Sequence, residues 1–191
     1  MSRYSLTTRV ATRDDAPVLA SLWTDSVRRA DPSEQVADIE QIVKNGAASV
    51  EQRVMVVEYD GQVAGAVLLR ILTLSPLNLE PCVHAFYPRV FVDFRRHGVG
   101  HALMEAAASY AEENGILHVA TAIPYGSREA NRFMARLGLA PVATYRVAPT
   151  GVLRSRLVPQ RGKTALDGRS KVLAARRSLR RARAERLATE E

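Results

Sequence analysis

The hydrophobic and polar positions of this chain alternate between helical and extended spacing. Apolar residues recur at helical spacing over residues 18–27 and 102–111, which predicts two helices that each bury one face. Residues 53–59 and 62–72 are β-branched runs joined by Asp60-Gly61. An Asp-Gly pair between two such runs predicts a hairpin, because a type I′ turn needs positive φ at both central positions.

Local start and stop signals predict the remaining elements. Strands are expected at residues 6–12, 83–92, 116–123 and 142–147, and helices after Asp14 or Asp15, from Ser33 to Lys44, and from Ser127 to Leu137. Pro88, within the run 83–92, indicates a bulge or an unpaired edge. The order β-α-α-β-β-β-α-β-α-β contains no repeat and predicts a mixed α/β fold with helices on both faces of one sheet.

The segment Arg95-Arg96-His97-Gly98-Val99-Gly100 lies between a predicted strand and a predicted helix at 101–114. Glycine lets the backbone approach a ligand closely, and the free N–H groups of a helix's first turn attract an anion. Three basic side chains at a helix N-terminus oppose the helix dipole unless an anion is present. The segment therefore predicts a phosphate site. A Rossmann fingerprint would need another glycine at position 103, and the Gly-Lys-Ser/Thr of a P-loop is absent.

These six residues resemble the Arg/Gln-x-x-Gly-x-Gly/Ala signature of the GNAT superfamily of N-acetyltransferases, and Gly138-Leu139 fits the pattern that follows it. The resemblance spans residues 6–157. It implies a central mixed, mostly antiparallel sheet, and acetyl transfer from acetyl-CoA to a primary amine of a small molecule or protein by direct attack. It also implies that backbone amides of residues 96–101 bind the pyrophosphate and that the strand edge at 89–92 pairs with the pantetheine. The cofactor-binding residues so implied are Arg89, Val90, Val92, Arg95, Arg96, His97, Gly98, Val99, Gly100, His101, Ser127 and Asn131.

Acetyl transfer to an amine also needs a base, and often an acid for the leaving thiolate. His84 stands where several family members carry a base-like Glu, and an unperturbed histidine titrates near ~6.5. Glu80, in the loop before that strand, is the second base candidate. The family's usual acid position holds Met134, so Tyr125 is the candidate acid, unless the thiolate leaves unprotonated. His84 as an ordinary strand histidine and Tyr125 as an interface tyrosine remain the alternatives.

The charge of the chain is concentrated at its C-terminal end. The formal net charge of +7 combines 12 basic and 4 acidic residues from Arg154 onward with 15 basic and 16 acidic residues before it. We therefore divide the chain into a GNAT-like domain, residues 4–158, and an arginine-rich extension, residues 159–191, helical or partly disordered. The extension is interpreted as binding RNA or DNA, as lying on an anionic membrane surface, or as a solvated tail without a specific partner. An alternative function is thus a non-catalytic GNAT-fold module that docks on nucleic acid.

Composition limits the possible location of the protein and its possible metal chemistry. No uninterrupted apolar run approaches the ~18 residues that would predict a membrane span. The N-terminal residues lack the apolar stretch of a signal peptide, so a cytoplasmic location is expected. Cys82 is the single cysteine and has no zinc-ligand spacing around it, so no metal is expected. The sequence does not name the acceptor amine.

Overall fold

The computed structural model describes residues 4–124 and 126–157, and the chain divides into two compact units at residue 140. In the first unit, the strands are β1 (Leu6–Val10), β2 (Gln52–Tyr59), β3 (Gln62–Thr73), β4 (Pro81–Val90) and β5 (Val119–Thr121). Its helices are α1 (Ala16–Leu22), α2 (Pro32–Ala47), α3 (Val99–Glu113) and α4 (Arg128–Arg136). In the second unit, α5 spans Thr150–Leu157.

The five strands form one sheet in the order β1-β2-β3-β4-β5. Neighbours from β1 to β4 are antiparallel, whereas β5 runs parallel to β4. The β2–β3 turn has φ of 50° at Asp60 and 78° at Gly61, the two positive angles that the Asp-Gly pair predicts. The predicted mixed, mostly antiparallel sheet is therefore confirmed.

Helices cover both faces of the sheet because side chains of each strand alternate between them. On β2, Val54 and Val56 pack with α1 and α2, where Leu19 and Ile39 are buried. On the other face, α3 buries an apolar stripe against β3 and β4. The fully or almost fully buried members of this second core include Val67, Leu69, Val83, Ala85, Leu103 and Ala107. Two apolar layers thus enclose the central strands.

Gly65 allows α3 to approach the sheet closely. A Cβ at this position would lie 2.6 Å from the carbonyl oxygen of Arg89 and 2.8 Å from Cγ1 of Val99. Both distances are too short for any side chain. Val99 begins α3, so the glycine determines how near the first turn of this helix sits to β3 and β4. The sequence pattern gave no indication of this requirement.

The start of α2 differs from the prediction. The helix begins at Pro32 with Asp31 as N-cap residue, so its cap lies two positions before Ser33, where the helix was predicted to start. Proline is well suited to the first helical position because its missing N–H would have no partner there. The helix also continues to Ala47, past the predicted end at Lys44.

Two predicted strands are wrong in extent or in kind. The run 116–123 forms only the three-residue β5. Residues 142–147 form no strand in the described structure, and Val142, Tyr145 and Val147 are at least 90% exposed. An alternating apolar run becomes a strand only where a ladder partner is present, since β-propensity depends on context. The described structure provides no such partner for this run.

Candidate active site

The turn between β4 and α3 has an unusual backbone. After a single 3-10 turn at Val92–Phe94, the chain reaches Gly98, the N-cap residue of α3, which has a left-handed conformation with φ of 84°. Arg96 is also left-handed, with φ of 65°, although it is not glycine. A non-glycine residue with positive φ is uncommon and often marks a functional site. The motif is therefore shaped by two left-handed residues, of which the sequence indicated only Gly98.

This turn presents free backbone N–H groups. Within the described part of the chain, no well-formed hydrogen bond engages the N–H of any residue from 96 to 101. The first bond of the helix runs from the N–H of Ala102 to the carbonyl of Gly98 at 3.0 Å. The first turn contains no acidic residue and its N-cap offers no side-chain acceptor. Unpartnered N–H groups at a helix N-terminus form an anion site.

An aromatic cluster packs behind the turn. We define it as Tyr4, Tyr59, Phe94 and His97. The ring of His97 stands edge-on to Tyr59 at 5.0 Å, and Tyr59 contacts Tyr4 and Phe94 at 5.2 and 5.7 Å between ring centroids. The cluster orients the His97 ring, and all three basic residues of the turn, Arg95, Arg96 and His97, are exposed. Sequence reasoning missed it, because its members are far apart in the chain.

Strands β4 and β5 separate beside the turn. They pair only at Val83, His84 and Ala85. At the last paired position, the hydroxyl of Thr121 donates to the carbonyl of Ala85 at 2.8 Å. Beyond it, β4 pairs with β3 alone among the described residues, so no strand pairs with its other edge at residues 86–90, which we call the free edge. A free edge can accept an extended ligand as an added strand.

The predicted cofactor residues lie at or near this edge. Arg89 and Val90 end β4 opposite Ala66 and Gly65. Val92 follows in the 3-10 turn and is 70% exposed. His101 is an exposed residue of the first turn of α3, with its Nδ1 3.9 Å from a carboxylate oxygen of Glu105.

Pro88 lies in a bulge, as predicted. The register with β3 shifts between Leu68, which faces Phe86, and Ala66, which faces Arg89. Tyr87 adopts a left-handed conformation with φ of 50°. Its carbonyl accepts a hydrogen bond of 2.9 Å from the indole Nε1–H of Trp23. Trp23 falls within the apolar run 18–27, for which the sequence predicted a buried helix face, and no sequence pattern indicated this bond.

His84 lies on β4, and Glu80 lies in the loop that precedes this strand. The Nε2 of His84 lies 3.0 Å from the carbonyl oxygen of Thr73, and its ring stacks on Phe86 at 5.6 Å. Because a carbonyl only accepts, Nε2 carries a proton and the neutral ring has its lone pair at Nδ1. Glu80 is exposed, and its backbone N–H donates to Oδ1 of Asn78 at 3.0 Å. Tyr125 lies outside the described residues.

The start of α4 is held by local hydrogen bonds. Ser127 is the N-cap residue, as predicted, and its hydroxyl accepts from the N–H of Ala130 at 3.3 Å. The side-chain amide of Asn131 donates to the carbonyl of Ser127 at 2.8 Å. Met134, at the family's usual acid position, is buried in the core beneath α3. This position therefore supplies no proton donor.

Neither thiol nor metal chemistry is supported in the described structure. Cys82 is fully buried, and burial raises the pKa of its thiol, so the reactive thiolate is disfavoured. Among residues 4–124 and 126–157, no group of three or more His, Cys, Asp or Glu side chains is placed to hold a metal ion. Nor does any helix of these residues have the length and apolar character needed to cross a membrane.

Comparison with known proteins identifies the family. The model of the acetyltransferase (GNAT) family matches residues 17–139, and the chain belongs to this family. Its members transfer acetyl groups and use acetyl-CoA. No curated protein matches the chain in sequence.

Solved structures share the fold at low sequence identity. An aminoglycoside N-acetyltransferase in complex with CoA is 15% identical, with a TM-score of 0.65 over 78% of this chain and 97% of that one. A transcriptional regulator from Bacillus halodurans is 18% identical, with a TM-score of 0.64 over 76% and 99%. Glucosamine-6-phosphate N-acetyltransferase from Arabidopsis thaliana is 17% identical, with a TM-score of 0.60 over 76% and 99%. At such identities the likeness establishes the fold alone.

Proposed function

We propose that this chain transfers an acetyl group from acetyl-CoA to a primary amine of a small molecule or a protein. The observation that carries the proposal is the run of unpartnered backbone N–H groups at residues 96–101, at the N-terminus of α3. In the proposal these groups bind the pyrophosphate, whose negative charge the N–H groups and the helix dipole favour. The exposed side chains of Arg95 and Arg96 add positive charge beside it.

The free edge of β4 would hold the pantetheine. Phe91 donates its N–H to the carbonyl of Ala64 on β3 at 2.9 Å. Because successive N–H groups of a strand point to opposite sides, the N–H of Val90 is directed to the free edge. The pantetheine amides would pair there as an added strand, with Arg89 and Val92 on either side of the contact. Ser127 and Asn131, which cap α4, remain predicted cofactor contacts.

The chemistry requires a neutral amine that attacks the thioester carbonyl. We assign the base to His84, whose Nδ1 is free to take the amine proton, directly or through water, while Nε2 stays bound to Thr73. The C–N bond then forms, a backbone N–H at the free edge stabilises the oxyanion, and the C–S bond breaks to release CoA. Glu80 is the second candidate base and Tyr125 the candidate acid.

Calorimetric titration with acetyl-CoA tests the proposal through two matched glycine variants. Gly98→Ala and Gly115→Ala both place a side chain at positive φ, 84° and 66°, so both strain the backbone similarly. Only the first alters the anion turn. We expect Gly98→Ala to weaken acetyl-CoA binding about tenfold or more, and Gly115→Ala to leave it within about twofold. The proposal is wrong if the unaltered protein takes up no acetyl-CoA at millimolar concentration.

The alternative of a non-catalytic nucleic-acid module has no supporting observation among the described residues. The arginine-rich extension on which it depends, 159–191, lies outside them.

A further inference from the structure

Trp23 joins α1 to the bulge of β4. It is the residue that follows α1 and is only 5% exposed. Its indole N–H donates to the carbonyl of Tyr87 at 2.9 Å, across 64 positions of sequence. An indole has one hydrogen-bond donor and no acceptor, so this bond uses the whole polar capacity of the side chain.

The bulge depends on this bond for its shape. Tyr87 has φ of 50°, a conformation that costs a non-glycine residue free energy. The neighbouring Pro88 has no N–H to contribute to the ladder with β3. The register shift at Ala66 and Leu68 shows that regular pairing is interrupted here. Trp23 is buried, and a buried indole N–H without a partner is costly, so its bond to the Tyr87 carbonyl favours this conformation over a regular strand.

The bulge lies where β4 leaves β5. Ala85 is the last residue of β4 paired with β5, and Tyr87 follows two positions later. The direction of the Val90 N–H on the free edge follows from the conformation of the bulge that precedes it. A bulge that relaxes toward a regular strand would turn this group and spoil its alignment with an extended ligand.

We infer that Trp23 is a positioning residue for acetyl transfer, which acts through Tyr87 to aim the free edge of β4 at the pantetheine and thioester of acetyl-CoA. This inference rests on the proposed function. The inference concerns the β4 edge, which follows the bulge, and not the anion turn at residues 96–101, which begins α3. The two parts of the cofactor site can therefore be tested separately.

The decisive variant is Trp23→Phe, which removes the N–H and keeps an aromatic ring. Tyr110→Phe is the matched control. Tyr110 is 2% exposed, its hydroxyl donates to the carbonyl of Val50, and it packs on the opposite face of the sheet. Each variant deletes one side-chain bond to a backbone carbonyl, and Trp23→Phe also removes the second ring of a buried indole, so it should lose more thermal stability than Tyr110→Phe. A purely structural role for Trp23 predicts this difference in stability and no selective loss of acetyl-CoA binding relative to its nucleotide half.

Binding is measured with two probes, acetyl-CoA and its nucleotide half, adenosine 3′-phosphate 5′-diphosphate. We expect Trp23→Phe to weaken acetyl-CoA about fivefold or more and to leave the nucleotide half within about twofold, while Tyr110→Phe changes neither by more than about twofold. Hydrogen exchange of the backbone amides of Phe86, Tyr87, Arg89, Val90 and Phe91 should accelerate in Trp23→Phe only.

The inference is overturned if Trp23→Phe and Tyr110→Phe bind acetyl-CoA equally while the unaltered protein binds it normally. If the unaltered protein does not bind acetyl-CoA, the proposed function itself fails. Trp23 is the single tryptophan of the chain, so replacing tryptophan with 3-benzothienylalanine throughout removes the same N–H with almost no change in shape. If Trp23→Phe does not fold, binding of acetyl-CoA and of the nucleotide half to this benzothienylalanine-containing protein distinguishes the same two outcomes.

Discussion

Gly65→Ala should destabilise the protein and weaken its cofactor site together. The added Cβ would lie 2.6 Å from the backbone oxygen of Arg89, which cannot move without shifting β4, and 2.8 Å from Val99 Cγ1. Overpacking of this kind costs about 1–3 kcal/mol. For a domain of this size the cost corresponds to a fall in Tm of roughly 2–12 °C.

Gly46→Ala provides the control for this prediction. Gly46 is a buried glycine within α2, and its Cβ would meet its nearest backbone atoms at 3.5–3.7 Å, which is ordinary contact. Alanine favours a helix over glycine by roughly 0.5–1 kcal/mol, so this variant should be at least as stable as the parent. Thermal unfolding of both variants, followed by calorimetry with acetyl-CoA, makes the comparison. Equal Tm values for the two variants would refute the reasoning from close approach.

Three further predictions concern charge, the base and the acid. Burial of Asp15 is compensated by two hydrogen bonds from Arg9, at 2.7 and 2.8 Å, which lower the pKa of that carboxyl below its ordinary 3.8. Its contribution to stability is present in full above that value and is lost as the pH falls through the lowered pKa. Asp15→Asn should therefore lower the free energy of unfolding by about 1–3 kcal/mol at neutral pH, and this free energy should then fall less steeply below pH ~4 than in the parent. Urea unfolding at several pH values measures both effects, and an unchanged dependence on pH below ~4 would contradict the reasoning. His84→Gln should reduce CoA release with a primary-amine panel by about 10²-fold at pH 7, and full kcat in both His84→Ala and Glu80→Ala would exclude both as the base. Tyr125→Phe should reduce kcat about threefold to tenfold if the tyrosine protonates the thiolate, and an unchanged kcat would remove it from the mechanism.

The parts of the fold that the sequence predicts are those fixed by local chemistry. Asp60-Gly61 requires a particular backbone whatever surrounds it, and the positive φ values follow. Pro88 cannot donate to a ladder, so the bulge around it was also predictable. The basic motif at 95–100 lies at the predicted strand-to-helix turn for the same reason, since its glycines and the helix start are local signals.

The parts that the sequence did not predict depend on contacts between distant residues. The bond from Trp23 to Tyr87 spans 64 positions, and no local pattern indicates it. Gly65 looks like an ordinary strand glycine until α3 is packed against it. Residues 142–147 have the alternation of a strand, but a strand also needs a neighbour, and the pattern of one segment contains no information about whether a neighbour is available.

The most direct test of the central claim is an NMR titration with acetyl-CoA that follows the backbone amides. The account predicts saturable shifts at residues 96–101 and along the β4 edge to Val90, with amides on α2 unchanged. Saturable binding whose shifts fall elsewhere, or no shift at millimolar acetyl-CoA, would contradict the claim that this turn holds the cofactor's pyrophosphate.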